Sequence, residues 1–394
     1  MNRLASICVT VLLPLLLTTA CAIDDDGVDA DFPYTDDAAG GKGEEWNSAN
    51  DPIRVDRTFT AQLDQLPRTG AATRTPWTGD YWATAFDSIN ARWDGASSMS
   101  PAEKWERAFG RAGFVARVTQ ELGATSVTGA TCSTDAQCAD DEACAKPRGA
   151  ASGRCIPTWF GICHGWAPAA IAVPQATKAV VKNGVTFYPG DLEALMSAAW
   201  SGEDYSVKFI SERCDADALP TDSYGRIRAG ECRDMNPGSF HVVIGNMLGK
   251  RGLAIVEDRT ADGEVWNQPV ASYKVTKQTE VTEAQAAALV GLAGSSYTYN
   301  ADAARFVSVE TDLKWITESE PSRRARAAST YTRTTKLAYV LELDAAGTIL
   351  GGEWVGASKT NHPDFLWWPT STPRTEAVRG LKYSEIKALY DQAR

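Results

Sequence analysis

Cysteines at positions 132, 138, 144 and 155 crowd a polar stretch rich in Gly and Asp and almost empty of apolar side chains. Such a stretch cannot bury enough surface to hold itself together, so covalent links must do it. Residues 130–156 are therefore expected to form a small disulfide-rich insert in a protein of an oxidising compartment. Four cysteines allow three pairings and sequence alone does not choose; the favoured expectation joins the first to the third and the second to the fourth. Zinc is the competing use. The spacings are not the close Cys-x2-Cys pairs that zinc prefers, and no metal site is expected.

The remaining cysteines can be assigned in turn. The chain has nine in all. Cys8 lies in an apolar run, Ile7 to Leu17, that follows the charged start Asn2-Arg3. That run reads as a secretory signal over residues 1–20 and is too short for a lasting bilayer span, which needs roughly 20 apolar residues. It ends in Leu-Thr-Thr-Ala-Cys, similar to a bacterial lipobox, so Cys21 is the candidate lipidation site and lipid the expected membrane anchor. Plain secretion is the alternative. Ala22 carries no inner-membrane retention signal, so the expected location is the bacterial cell envelope, at the outer membrane, or the medium. Residues 21–55 are acidic and polar, with no apolar period, and read as a flexible tether. Cys214 and Cys232 flank a polar loop that a disulfide would close, worth roughly 3 kcal/mol in the chain-entropy model.

Cys163 is left over, in Trp-Phe-Gly-Ile-Cys-His-Gly-Trp. An unpaired thiol in an oxidising compartment points to reactivity. Gly161 and Gly165 bracket it, which suggests a backbone that turns tightly and approaches a substrate. An Ala-rich apolar helix, Trp166 to Val173, follows, with regular bonding expected only past Pro168. A helix N-terminus stabilises negative sulfur, and the Cys163 amide would face an oxyanion forming beside it. Trp159 is a candidate indole donor to that oxyanion. The bland reading of Cys163 is a buried structural residue; position, parity and flanking glycines favour a nucleophile.

A thiol used for acyl transfer needs a base, and only three histidines exist. His164 follows the thiol in the chain and should point away. Phe240–Ile244 and Leu253–Val256 read as strands joined by Gly245–Gly252. That register puts His241 opposite Val256, with Asp258 as its diagonal neighbour and orienter. A one-residue slip would put Glu257 there. His362, in Asn-His-Pro-Asp-Phe-Leu-Trp-Trp, is the second choice of base, or a groove-wall residue.

The rest reads as helices first and a mostly antiparallel sheet later, an α+β plan. A helical period spans Tyr81–Trp93, and a second helix starts at Pro101 after Ser100, carrying Trp105, Phe109 and Phe114. Tyr339–Leu343 and Thr348–Leu350 pair through Ala345-Ala346-Gly347. Helices return at Glu283–Leu292 and Ser384–Gln392. The net charge of −11 and the absence of a basic stripe exclude a nucleic-acid binder.

The segment Glu-Val-Trp-Asn-Gln-Pro-Val-Ala-Ser-Tyr-Lys-Val, from Glu264 to Val275, resembles the surface peptide of the secreted oomycete transglutaminases that plants sense as an elicitor. The Cys163 region, Asp87-Ser88-Ile89-Asn90 with Arg92-Trp93, and Gly352-Glu353-Trp354 to Trp368 are similar to that family too. Composition alone makes residues 264–275 an exposed loop. The resemblance covers residues 56–394 and implies a papain-like, transglutaminase-type catalytic domain. It implies γ-glutamyl transfer from glutamine to lysine of protein substrates, with Cys163, His241 and Asp258 as the triad. The chemistry requires no cofactor; calcium enters by family analogy only. Two features differ from the family: the four-cysteine insert and Ala271-Ser272 within the elicitor peptide. A papain-like protease or amidase, and a non-enzymatic surface lipoprotein, are the alternative readings.

Overall fold

The computed structural model describes residues 50–202, 204–211, 235–260 and 263–394. The signal segment, Cys21, nearly all of the tether, and Cys214 and Cys232 lie outside the described residues.

A short turn of helix, α1 (Pro52–Val55), and a short strand, β1 (Thr69–Ala71), lead into α2 (Pro101–Phe109) and α3 (Phe114–Glu121). The insert contributes β2 (Thr131–Cys132), β3 (Glu142–Ala145) and β4 (Gly153–Pro157). Then come α4 (Cys163–Ala172), the ribbon β5 (Val180–Lys182) and β6 (Val185–Phe187), α5 (Pro189–Trp200) and β7 (Val207–Ile210). The second half holds α6 (Pro237–Ile244), β8 (Ile255–Asp258), β9 (Asn267–Val281), α7 (Glu283–Val290) and β10 (Arg305–Ile316). It closes with β11 (Thr332–Leu343), β12 (Ile349–Trp354), β13 (Leu366–Pro369) and α8 (Tyr383–Tyr390).

One eight-stranded sheet runs β12-β11-β10-β9-β8-β13-β7, with β1 beside β9. Its pairings are antiparallel. The expected α+β plan is therefore the observed one. The hairpin through Ala345-Ala346-Gly347 is present, joining β11 to β12. Insert strands β2, β4 and β3 form their own small sheet, stapled by Cys132–Cys144 and Cys138–Cys155. That is the expected pairing. Cys132, Cys138 and Cys155 are the cluster of ligating side chains near enough to share an ion among the described residues. Their sulfurs are spent in disulfides, which leaves zinc no thiolate.

Adjacent residues of a strand point to opposite faces, and β8 shows what each face holds. Val256 packs with Ala167 of α4, Val265, Phe365 and Trp367. Ile255 packs with Phe240, Val242 and Ile244 of α6, Tyr339 and Leu366. The sheet thus separates α4 from α6. Beyond α4 a second core gathers Trp105, Phe114, Trp166, Leu195 and Trp200 from α2 to α5.

Four expectations are corrected. Residues 240–244 are helix, not strand: Asn236 caps α6 by accepting from the Gly238 and Ser239 amides, and Pro237 opens it. The link 245–252 is a π-helical turn closed by Gly252 at φ 63°. The Tyr81–Trp93 period makes only two 3-10 turns, Thr84–Phe86 and Ser88–Asn90, with Trp82, Asp87 and Ser88 in the left-handed region. The helix after Ser100 carries a full capping box with Glu103 but stops at left-handed Gly110, so Phe114 belongs to the next helix.

Candidate active site

Cys163 opens α4, with Ile162 at the cap. The helix forms from its first residue despite Pro168: Trp166 N donates to Ile162 O at 3.0 Å. A first turn leaves its leading N–H groups without intrahelical acceptors, so the Cys163 sulfur sits beside positive backbone dipole. The bracketing glycines serve close packing against protein. A Cβ at Gly161 would meet Tyr81 O at 2.5 Å, and one at Gly165 would meet Ser197 O at 2.3 Å. Gly161 lets the approach to α4 lie against the Tyr81 backbone, where Ile162 N donates to Tyr81 O at 2.7 Å. Gly165 lets α4 press on α5.

Cys163 is free and only 4% exposed. Its Sγ lies 3.6 Å from Val265 O and accepts from Asn267 Nδ2 at 3.6 Å. Asn267 Oδ1 in turn accepts from Trp367 Nε1 at 2.7 Å. Asn267 is the Cα partner of Asp258 across β8 and β9, so both occupy the face that α4 covers. Asp258 is fully buried and its Oδ1 accepts from Trp266 N at 2.8 Å. The Tyr81 ring, which feels the Cys163 charge, meets the Trp266 ring edge to face at 5.4 Å. Tyr81 O–H donates to Thr158 O at 3.0 Å, which ties the ring to the loop before the cysteine. Burial raises the Asp80 carboxyl to about 6, and neighbouring Glu320 and Glu318 add to this. Trp159 is half-buried, stacks edge-on against Phe160 and packs on the cluster of Val256, Val265 and Trp367.

The structure does not bring His241 to Cys163. His241 is on α6, on the far face of the sheet, where its Nδ1 lies 2.8 Å from Tyr339 Oη, itself 2.8 Å from Thr311 Oγ1. Burial lowers its pKa to about 4. The diagonal pairing of His241 with Asp258 is overturned with the strand it assumed. His164 turns towards α5, its Nε2 3.3 Å from Ser201 O. His362 stacks on Trp354 at 4.9 Å, with Nδ1 2.6 Å from Ser358 O. Asp258 alone of the two expected partners shares the thiol's side of the sheet.

Sequence reasoning missed Asn267, Trp367 and Tyr81. Asn267 stood inside the quoted Trp-Asn-Gln-Pro string, but that string was read as an exposed loop. It is the start of β9, with residues 267–270 buried. The unbroken apolar run Phe365-Leu366-Trp367-Trp368 was the available signal for a strand buried on both faces, one of them on the site.

An antiparallel sheet with a free cysteine opening the helix packed on it defines the transglutaminase-type α+β class. The comparisons make it particular. The transglutaminase elicitor family model matches residues 54–394, and the chain belongs to that family. Its fold is similar to the crystal structure of the GP42 transglutaminase from Phytophthora sojae, at 37% identity and a TM-score of 0.76. The match covers 87% of this chain and 98% of that one. No curated protein sequence matches.

Proposed function

We propose that the protein is a protein-glutamine γ-glutamyltransferase that joins glutamine side chains to lysine or other primary amines through a Cys163 thioester. The observation that carries this reading is the Cys163 thiol at the start of α4, held by the Asn267 amide on the same side of the sheet as Asp258. Membership of the transglutaminase elicitor family supports it.

In the proposed reaction Cys163 Sγ attacks the δ-carbon of a glutamine side chain, a slim amide that enters between Tyr81 and Trp266. The first-turn amides of α4 receive the oxyanion, with the Trp159 indole as a further candidate donor. Asp258 takes the thiol proton and returns it to the leaving nitrogen, so the C–N bond breaks and ammonia departs. A neutral amine then attacks the thioester carbon and gives a proton to Asp258; the C–S bond breaks and Asp258 passes that proton to the departing sulfur, restoring the Cys163 thiol. Asp80 and Glu318 beside Tyr81, with Glu320 acting on Asp80, favour approach of a cationic lysine, which loses a proton before it attacks. The chemical steps call on no metal.

The test is incorporation of a fluorescent primary amine into a glutamine-rich protein. Cys163→Ala should abolish it, and Asp258→Asn should lower kcat by about 10²- to 10⁴-fold. Asn keeps the acceptor for Trp266 N but takes no proton. His241→Phe should lose about 1–3 kcal/mol of stability, because Tyr339 loses a buried partner, while kcat/KM stays near wild type. Loss of activity in a folded His241→Phe or His362→Ala protein would return the base to histidine. Peptide cleavage without amine incorporation would replace the transferase with a protease.

A further inference from the structure

We propose that Trp367 is a positioning residue for the Cys163 thiol: its indole N–H fixes the Asn267 carboxamide with nitrogen, not oxygen, facing the sulfur. This rests on Cys163 being the nucleophile.

The two ends of a carboxamide are nearly the same size, so shape alone lets Asn267 sit either way round. The chemistry of the two ends is opposite. The nitrogen donates to sulfur and stabilises negative charge there; the oxygen would repel it. Something must choose, and an indole N–H can only donate. Trp367 Nε1 at 2.7 Å therefore demands the oxygen of Asn267, which leaves Nδ2 for Sγ at 3.6 Å. Flipping the amide would leave a buried donor facing a donor and an acceptor facing sulfur. Trp367 and Asn267 are 1% and 2% exposed, so water does not compete for either group.

The indole is itself held. Trp367 pairs with Val256 of β8 on one side and Phe209 of β7 on the other. Its ring packs with Ala167 from the helix that carries the thiol, and with Val265 and Phe365. The sheet thus sets the indole, the indole sets the amide, and the amide sets the charge preference at sulfur. The Trp367 indole bonds the amide oxygen while the amide nitrogen bonds the sulfur, so Trp367 acts through Asn267.

The experiment compares wild type, Trp367→Phe, Asn267→Asp, Asn267→Ala and the Trp367→Phe/Asn267→Ala double variant. It measures the rate of Cys163 alkylation by iodoacetamide against pH, and kcat and KM for amine incorporation. Trp367→Phe keeps an aromatic ring but no donor. The expected result is an upward move of about one unit in the pH of half-maximal alkylation, a fall of roughly tenfold in kcat and an unchanged KM. Asn267→Asp, which must turn an oxygen to the sulfur, should shift the profile the same way. In the Asn267→Ala background Trp367→Phe should add nothing, because the amide it orients is gone. An unmoved alkylation profile in Trp367→Phe or Asn267→Asp, or additive effects in the double variant, would overturn the proposal. If Trp367→Phe does not fold, replacing Trp367 with benzothienylalanine, which keeps the fused rings and lacks the N–H, decides by the same profile. Alkylation needs no acyl acceptor: shifted profiles without amine incorporation in wild type would keep the positioning role and refute the transferase.

Discussion

Glu257 and Asp258 are neighbours with opposite fates. Asp258 faces the thiol's helix; Glu257 faces Gln268 and Leu366 on the other side of β8. Burial raises the Glu257 carboxyl to about 8, the nearby Asp258 charge adding to this and Arg259 opposing it. A group whose folded value lies above its unfolded one contributes stability that is full below the unfolded value and lost as pH rises through the folded one. The window for Glu257 therefore runs from about 4.5 up to about 8. Glu257→Gln should match wild type at pH 5 and exceed it in melting temperature at pH 9, by about 4–8 °C at most. Thermal unfolding across pH checks this, and an equal gap at both pH values would refute it. The two residues also show what sequence could tell. Cys163 followed from cysteine parity, whereas Asp258 was reached through a strand register with His241 that the structure replaces with helix. Glu257 and Asp258 differ only in parity on a strand, and parity depends on a register that no local signal set.

At the scale of elements, local chemistry was readable where caps spoke and misleading where only period did. Ser100, Pro101 and Glu103 announced α2, and the structure gives them their capping box. Phe240 to Ile244 looked like a strand because β-branched and aromatic residues favour one. Packing under the sheet overrode that preference, and Asn236-Pro237, a cap followed by a first-turn proline, was the sign passed over. The aromatics from Tyr81 to Trp93 had helical spacing, but Trp82 and Trp93 reach the core from loop and 3-10 turns, and Phe86 turns out to solvent. The insert was legible because its composition allowed little else. Its last strand, β4, ends six residues before Cys163, and Phe160 O accepts from Thr84 N at 2.8 Å on the way. Replacing Cys138 and Cys155 with serine should therefore cost about 3 kcal/mol in urea unfolding. It should also lower amine incorporation more than a surface substitution does. Full activity in the reduced variant would detach the insert from the site.

For the whole molecule, the sheet is the divider. It puts the thiol with Asn267, Trp367 and Asp258 on one face and leaves His241 in the core of the other. No one-dimensional pattern reports on which side of a sheet a residue finishes, so a pairing of His241 with Asp258 drawn from strand register fails once residues 240–244 are helix. Two disulfides in the insert support an oxidising compartment and, with it, the proposed export. No helix among the described residues is long and apolar enough to cross a membrane. The proposed attachment is lipid on Cys21. Cys21→Ala should move the protein from the membrane pellet to the soluble fraction on fractionation; an unchanged pellet would end the lipid assignment. The start of β9 has one more consequence. Residues 267–270 are buried at the start of β9, where they pair with β8. An antibody that binds residues 267–270 should stain the protein on a denaturing blot and fail to capture it native, so this short run becomes visible to another protein only once the fold is broken open.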